Sequence, residues 1–98
     1  MNEKIKTDAV DYLFEAILCL ETKEECYSFF ADLCTVNELL SLSQRFEVAA
    51  MLKEKKTYLG IAEKTGASTA TISRVNRSLN YGNDGYELVF GRMQPREE

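Results

Sequence analysis

The stretch that decides the fold runs from Gly66 to Leu79 and reads GASTATISRVNRSL. It contains two arginines, a glycine at its start and no acidic residue, in a chain of 98 residues whose formal net charge is −4. Gly66 permits the left-handed backbone that ends a helix in a tight turn. Ser68 is a favourable N-cap for a following helix. The stretch therefore predicts a turn and then a helix from Thr69 to about Leu79.

A shorter helix is predicted immediately before this turn. Thr57 can cap it, and it would run from Tyr58 to about Thr65. Its inward-facing residues would be Ile61, Ala62 and Thr65, and the small Ala62 would let two short helices cross closely. Two helices joined by a glycine turn at this spacing are typical of a helix-turn-helix. A plain pair of helices with a polar face is the alternative.

The second of these helices has two different faces. Because successive residues are about 100° apart, Ile72, Val75 and Leu79 lie on one side, which is predicted to be buried. The opposite side is free of acids and consists of Ala70, Ser73, Arg74 and Arg77, flanked by Thr71 and Ser78. Arginine pairs bidentately with guanine, hydroxyls pair with bases or phosphates, and an alanine methyl can meet a thymine methyl. Such a face suits the major groove, since it brings no carboxylate near the phosphates.

Charge is distributed unevenly along the chain. Residues 1–42 hold three Lys/Arg and nine Asp/Glu, a net charge of −6, whereas residues 53–79 hold six Lys/Arg and two Asp/Glu, a net charge of +4. The basic segment indicates an anion-binding surface, although a solvated helical face gives the same pattern. The residues predicted to contact DNA all lie in this segment: Thr57, Lys64, Ser68, Thr69, Ala70, Thr71, Ser73, Arg74 and Arg77.

Three further helices are predicted in the N-terminal half. Apolar spacing predicts the first from Asp8 to Leu20. Two capping boxes begin the others: TKEE at residues 22–25, for a helix through Cys34, and TVNE at residues 35–38, for a helix to about Glu54. All three are apolar over more than one side, which a domain of this size cannot bury alone. We therefore expect a second copy of the chain to cover them in a homodimer.

Composition disfavours several kinds of site. The chain has no histidine, and Cys19, Cys26 and Cys34 lie seven and eight residues apart, so no zinc or other metal site is predicted. We interpret the cysteines as small apolar residues on helix faces, with a redox switch as the alternative. Since no glycine-rich phosphate loop and no nucleophile beside a base is present, neither catalysis nor a cofactor is expected.

The sequence also bears on location. Acidic residues interrupt the longest apolar stretch, so no membrane span is predicted. The N-terminal residues MNEKIKTD lack the apolar core of an export signal. We therefore expect a cytoplasmic protein.

The segment GIAEKTGASTATISRVNRSL, residues 60–79, resembles the Trp repressor superfamily. The second DNA-contacting element of that family carries a similar Gly-Ala-x-x-Ala-Thr-Ile-[Ser/Thr]-Arg run. The similarity extends through LCTVNELLSLSQRFEVAAMLKEKKTYLGIA and NRSLNYGNDGYELVF, covers about residues 8–92, and looks like the YerC/YecD-type, Trp-repressor-related proteins. It implies one all-α, six-helix domain in an intertwined homodimer. Residues 1–56 would form dimerisation helices, residues 57–79 the DNA-reading helix-turn-helix, and residues 83–92 a C-terminal helix.

The resemblance also implies where an effector would bind. The family's tryptophan pocket uses an arginine and a serine of the reading helix, matched here by Arg74 and Ser78. The glycine after that arginine is Val75 here, which fills space that an indole ring needs. The pocket's second arginine aligns with Gln44. Tryptophan is therefore not expected as the effector, and the sequence leaves open whether another small molecule binds.

These features together predict a sequence-specific, DNA-binding transcriptional regulator that acts as a homodimer, in keeping with a repressor. Double-stranded DNA and a second copy of the chain are the expected partners. The alternative is a helical dimerisation module that docks on another protein through the same pair of helices, without binding DNA.

Overall fold

The computed structural model describes residues 2–93, which form one short 3-10 helix (Glu3–Ile5), six α-helices and no strand. The α-helices are α1 (Asp8–Ile17), α2 (Lys23–Leu33), α3 (Val36–Lys53), α4 (Tyr58–Thr65), α5 (Thr69–Tyr81) and α6 (Gly85–Arg92). The predicted all-α, six-helix subunit is thus confirmed for the described residues. Residues 1 and 94–98, which the predicted domain includes, lie outside them.

The predicted capping box is complete at the start of α3 and present in part at the start of α2. The Thr35 hydroxyl accepts from the Glu38 N–H at 3.1 Å, and the Glu38 carboxylate accepts from the Thr35 N–H at 2.8 Å. The Thr22 hydroxyl likewise accepts from the Glu25 N–H, but the Glu25 carboxylate reaches one residue further back, to the Glu21 N–H at 2.8 Å. Short-range sequence signals therefore place these two helix starts correctly.

The prediction that α1 reaches Leu20 was wrong by three residues. After Ile17, the backbone bonds shorten from a four-residue to a three-residue spacing: the Cys19 N–H donates to the Ala16 carbonyl, and the Leu20 N–H to the Ile17 carbonyl. Such bonds tighten the last turn of a helix. Since no glycine or proline marks this end, apolar spacing alone extended the helix too far.

The chain divides into two compact units, one up to residue 40 and one from residue 41 onward. In the second unit, α3, α4, the following turn and α5 supply a small, fully apolar core. Its buried members are Val48, Ala49, Ile61, Ala67, Ile72 and Val75. The core therefore lies where the helix-turn-helix meets the C-terminal part of α3.

Within the second unit, helix α6 packs on α3 through aromatic and charged contacts. Phe90 stacks on Phe46 of α3 with ring centroids 5.0 Å apart, and Tyr86 lies 6.3 Å from each of these rings. Lys53 at the end of α3 forms an ion pair with Glu87 at 2.8 Å. Because both charged side chains are about half exposed, this pair adds little to stability, and the rings provide most of the attachment.

Among residues 2–40, no side chain is buried. This unit nevertheless carries many large apolar residues, and some are almost fully exposed: Leu18 at 83%, Tyr12 at 77% and Val36 at 75%. Others that remain exposed are Ile5, Phe14, Tyr27, Leu33 and Leu40. So many exposed large apolar side chains in 39 residues are unusual for a monomer and favour burial by a partner.

Gly66 offers a direct test of the turn. It has a φ of +75°, and an added Cβ would meet no atom within 4 Å. Gly66→Ala should therefore lower the free energy of unfolding by about 1–2 kcal/mol through backbone strain alone. Urea denaturation at a fixed protein concentration measures this loss.

The matched control is Gly91→Ala in α6, where an added Cβ also meets nothing within 4 Å and φ is not positive. Alanine is the better helix former, so this variant should be as stable as the wild type or slightly more stable. Equal losses in the two variants would contradict the left-handed turn at Gly66.

Candidate nucleic-acid interface

Helix α4 is fixed at both ends by side-chain hydroxyls. The Thr57 hydroxyl accepts from the Gly60 N–H at 3.0 Å and so caps the start of the helix. At its end, the Thr65 hydroxyl donates to the Ile61 carbonyl at 2.8 Å and accepts from the Ala67 N–H at 3.1 Å. Thr65 thereby connects the last turn of α4 to the loop, and the predicted helix from residue 58 to residue 65 is confirmed.

The turn between α4 and α5 is closed by local hydrogen bonds. The Gly66 N–H donates to the Ala62 carbonyl at 2.9 Å, in the left-handed conformation predicted for this glycine. The Ser68 hydroxyl accepts from the Thr71 N–H and donates to the Thr71 hydroxyl, both at 3.1 Å. Ser68 is therefore the N-cap of α5, as predicted. Hydrogen bonds among Ala62, Gly66, Ser68 and Thr71 fix the turn that leads into α5.

The two faces of α5 divide as the periodicity predicted. Ile72 is fully buried, Val75 is 3% exposed, and Leu79 is half-buried. On the other side, Ala70, Ser73, Arg74 and Arg77 are exposed; of the two flanking residues, Ser78 is exposed and Thr71 half-buried. Burial of Ile72 and Val75 in the core leaves the acid-free side of α5 turned to solvent.

The two arginines of α5 are available to an external ligand. In the described part of the chain, the guanidinium groups of Arg74 and Arg77 have no hydrogen-bond or ion-pair partner. The first N–H groups of α5 have no partner within the helix, which gives its N-terminus a partial positive charge that favours anions. This combination of guanidinium groups and a helix N-terminus is suited to phosphates and to the acceptor groups of base edges.

Of the nine residues predicted to contact DNA, all but the half-buried Thr71 are exposed. Three of them also stabilise the fold. Thr57 and Ser68 are N-caps, and Thr71 donates its N–H to the Ser68 hydroxyl and accepts from that hydroxyl with its own side chain. The side chains of Lys64, Thr69 and the outward residues of α5 form none of these stabilising hydrogen bonds. Substitutions at these positions can therefore test DNA binding without removing a hydrogen bond of the fold.

Comparison with known proteins now identifies the family. A model of the family described as Trp repressor protein matches residues 8–94. The chain belongs to the Trp repressor protein family. It is 57% identical over 95 residues to the uncharacterized protein YerC of Bacillus subtilis (strain 168), an alignment that covers 97% of this chain and 91% of YerC. The resemblance drawn from residues 60–79 is confirmed.

Two solved structures share the fold at high identity. One is a TrpR-like protein from Eubacterium eligens ATCC 27750, with 69% identity and a TM-score of 0.92, covering 99% of this chain and 100% of that one. The other is described as a candidate Trp repressor from Staphylococcus aureus, with 57% identity and a TM-score of 0.91, covering 98% and 96% of the two chains. Both support the order and extent of the six helices.

The residues aligned with the family's effector pocket do not form one cluster of free polar groups. Gln44, half-buried on α3, donates from its amide to the Thr65 carbonyl at the end of α4, at 3.1 Å. Arg74 and Ser78 are exposed, and Val75 between them is packed in the core. The Gln44 side chain therefore connects α3 directly to the end of α4, the first helix of the helix-turn-helix. The proposal that these residues bind an effector stays a prediction.

The structure also brings together residues that the sequence analysis did not select. Lys53, Lys55 and Lys56 lie along a cleft with Asn76 and Asn80 of α5. In the sequence, these lysines are recognisable only as members of the basic segment, residues 53–79. Their proximity to α5 depends on how the loop after α3 folds back, and no spacing within the sequence gives that information.

Two further observations concern membranes and metals. No helix among residues 2–93 has the length and apolarity needed to cross a bilayer. Within the same residues, no group of three or more histidine, cysteine or acidic side chains is placed to hold a metal ion. Cys19 and Cys26 are exposed free thiols, and Cys34 is half-buried.

Gln44→Glu tests the connection between α3 and α4. The substitution keeps the size of the side chain but replaces the donating amide with a carboxylate, which cannot donate to the Thr65 carbonyl. We expect a loss of about 1–3 kcal/mol in the free energy of unfolding, because a half-buried acceptor is left without a partner. Chemical denaturation gives this value. Asn37→Asp is the control, since it makes the same chemical change at an exposed position in the first turn of α3, where a carboxylate is favourable, and should leave stability equal to or slightly above that of the wild type.

Proposed function

We propose that this protein is a sequence-specific, DNA-binding transcriptional regulator that acts as a homodimer and represses the genes whose operators it occupies. Membership of the Trp repressor protein family points to a DNA-binding regulator rather than an enzyme. The observation that carries the proposal is the exposed, acid-free face of α5, held outward by the burial of Ile72 and Val75 and carrying two arginines without partners.

This face has the chemistry to read DNA directly. An arginine such as Arg77 can donate two hydrogen bonds to guanine O6 and N7, which no other base pair accepts in the same pattern. Ser73 adds a hydroxyl that suits bases or phosphates, and Ala70 adds a methyl group able to meet a thymine methyl. The N-terminus of α5 adds a site for a backbone phosphate. Together these groups serve both sequence readout and positioning.

The apolar surface of residues 2–40 supports a homodimer. No side chain is buried there, although Tyr12, Leu18 and Val36 each expose three quarters or more of their surface. A second copy of the same chain is the simplest partner that presents an equally apolar surface. Two α5 helices related by a two-fold axis would enter successive major grooves about 34–36 Å apart, so that the operator would be approximately palindromic.

The dimer makes a measurable prediction. Since folding is coupled to association, the thermal unfolding midpoint should rise with protein concentration. Phe14→Glu, which places a charge on the apolar side of α1, should lower the dimer fraction in sedimentation equilibrium. Leu59→Glu is the control: Leu59 is also an exposed apolar residue, at 71%, but lies on α4 outside residues 2–40. A stable, folded monomer at micromolar concentration would exclude the obligate dimer.

Substitutions on α5 test the reading of DNA. Arg77→Ala should weaken binding to the preferred site by about 1–3 kcal/mol and relax one operator position if Arg77 reads a base. If it holds a phosphate instead, all sequences should weaken equally. Ala70→Glu should be worse, because it brings a carboxylate into the groove while Ile72 and Val75 stay buried. Binding titrations on the preferred site and on scrambled DNA measure both effects, with thermal melts to check folding.

The matched control is Arg92→Ala, which removes an exposed arginine from α6. It should bind like the wild type. If both α5 variants also bind the preferred site like the wild type, α5 does not read DNA. If the wild type itself shows no salt-dependent affinity for duplex DNA, the protein-docking alternative takes the place of this proposal.

A further inference from the structure

A basic cleft of about 390 Å³ lies beside the reading helix. It is lined by Lys53 at the end of α3, by Lys55 and Lys56 of the following loop, and by Asn76 and Asn80 of α5. Glu87 of α6 is the one acidic residue in its lining. All these residues belong to the second compact unit, in which the helix-turn-helix also lies.

The charges in the cleft do not cancel. Glu87 is paired with Lys53 at 2.8 Å, and the Lys53 ammonium also lies 5.6 Å from the centre of the Phe90 ring. Lys53 and Glu87 are thus occupied with each other. The Lys55 and Lys56 side chains have no hydrogen-bond or ion-pair partner within residues 2–93, which leaves two uncompensated positive charges in the lining of the cleft.

The backbone at Lys55 is held in a conformation that favours glycine. Its φ is +65°, and its N–H donates to the Leu52 carbonyl while the Lys56 N–H donates to the Met51 carbonyl. These two bonds form the C-terminal motif in which glycine is usual, because a side chain in the left-handed region is strained. The Lys55 side chain makes no polar contact inside the described fold.

The asparagines supply oriented donors. The Asn80 amide donates to the Asn76 backbone carbonyl at 2.9 Å and to the Asn76 side-chain oxygen at 3.1 Å. This arrangement occupies the oxygen of the Asn76 side chain and leaves its NH₂ group, which no described hydrogen bond uses, as a donor. Asn76 is half-buried, and the exposed Asn80 follows Arg77 by three residues, about 60° away around the helix, so the cleft borders the outward face of α5.

We propose that this cleft binds a phosphate of the DNA backbone on the strand that flanks the groove entered by α5, an inference that rests on the proposed function. Lys55 and Lys56 neutralise the phosphate, and the Asn76 amide donates to one of its oxygens. The contact adds affinity and fixes the orientation of the reading head, but carries no sequence information. Lys55 and Lys56 both reach this cleft from the loop that follows α3.

The test is the salt dependence of DNA binding by the full-length double variant Lys55→Gln/Lys56→Gln. Because each cleft neutralises one phosphate, loss of both lysines should reduce the slope of log K against log salt by about 0.9 per cleft, hence by about 1.8 in a dimer with two such clefts. Binding to the preferred site and to scrambled DNA should weaken by the same factor. The control is Lys4→Gln/Lys6→Gln, an exposed lysine pair in the first unit, which should leave the slope unchanged.

A second variant separates binding from folding. Lys55→Gly removes the side chain and relieves the strained backbone, so its thermal midpoint should be equal to or above that of the wild type while its DNA affinity falls. A lower midpoint together with unchanged DNA affinity would overturn the inference.

The remaining outcomes are distinguishable. Absence of duplex binding by the wild type would overturn the proposed function itself. Salt-dependent binding by the wild type with an unaltered slope in the lysine double variant would overturn only the cleft. Inorganic pyrophosphate supplies the same phosphate chemistry from a free molecule. If it raises the thermal midpoint of the wild type at constant ionic strength, and the lysine variant has an unaltered DNA slope, the cleft serves a free phosphate compound and the assignment to DNA is wrong.

Discussion

The packing of α5 against the small core of the second unit is the constraint on which the rest depends. Ile61, Ile72 and Val75 are almost completely removed from water, and each such side chain contributes about 1.5–3 kcal/mol when it is buried. These residues can meet only if the chain turns within the three residues between α4 and α5, and the left-handed Gly66 permits that turn. Once Ile72 and Val75 are buried in the core, the helical periodicity of α5 places Arg74 and Arg77 on its solvent-exposed side.

The parts of the fold that the sequence predicted are those governed by neighbouring residues. The capping box of Thr35 and Glu38 and the turn at Gly66 depend on contacts within four positions, and both are recognisable from residue types alone. The end of α1 after Ile17 has no such signal, and apolar spacing extended it to Leu20. The left-handed Lys55 is also unmarked, because the conformation that normally indicates glycine is here adopted by a lysine whose sequence context looks helical.

The candidate site shows the same division. Helical periodicity alone separates buried Ile72 and Val75 from the outward side of α5, since both faces belong to one continuous helix. The hydrogen bond from Gln44 to the Thr65 carbonyl spans 21 positions, and the cleft at Lys55 brings a loop close to Asn76 and Asn80 of α5. Such contacts depend on the angle at which helices cross, which no local pattern encodes. The family resemblance indicated that the position of Gln44 mattered, but not which atom it would contact.

An acidic protein can bind an anionic polymer because screening makes the interaction local. At physiological ionic strength, charges separated by more than about 8 Å are largely screened from each other. The net charge of −4 therefore matters less for binding than the charges that actually reach the phosphates. Residues 64–79 contain one lysine, two arginines and no acid, so any phosphate close to α5 meets only positive side chains from this segment. The uneven distribution of charge along the chain, rather than its total, is consequently the electrostatic property on which DNA recognition by this protein would depend.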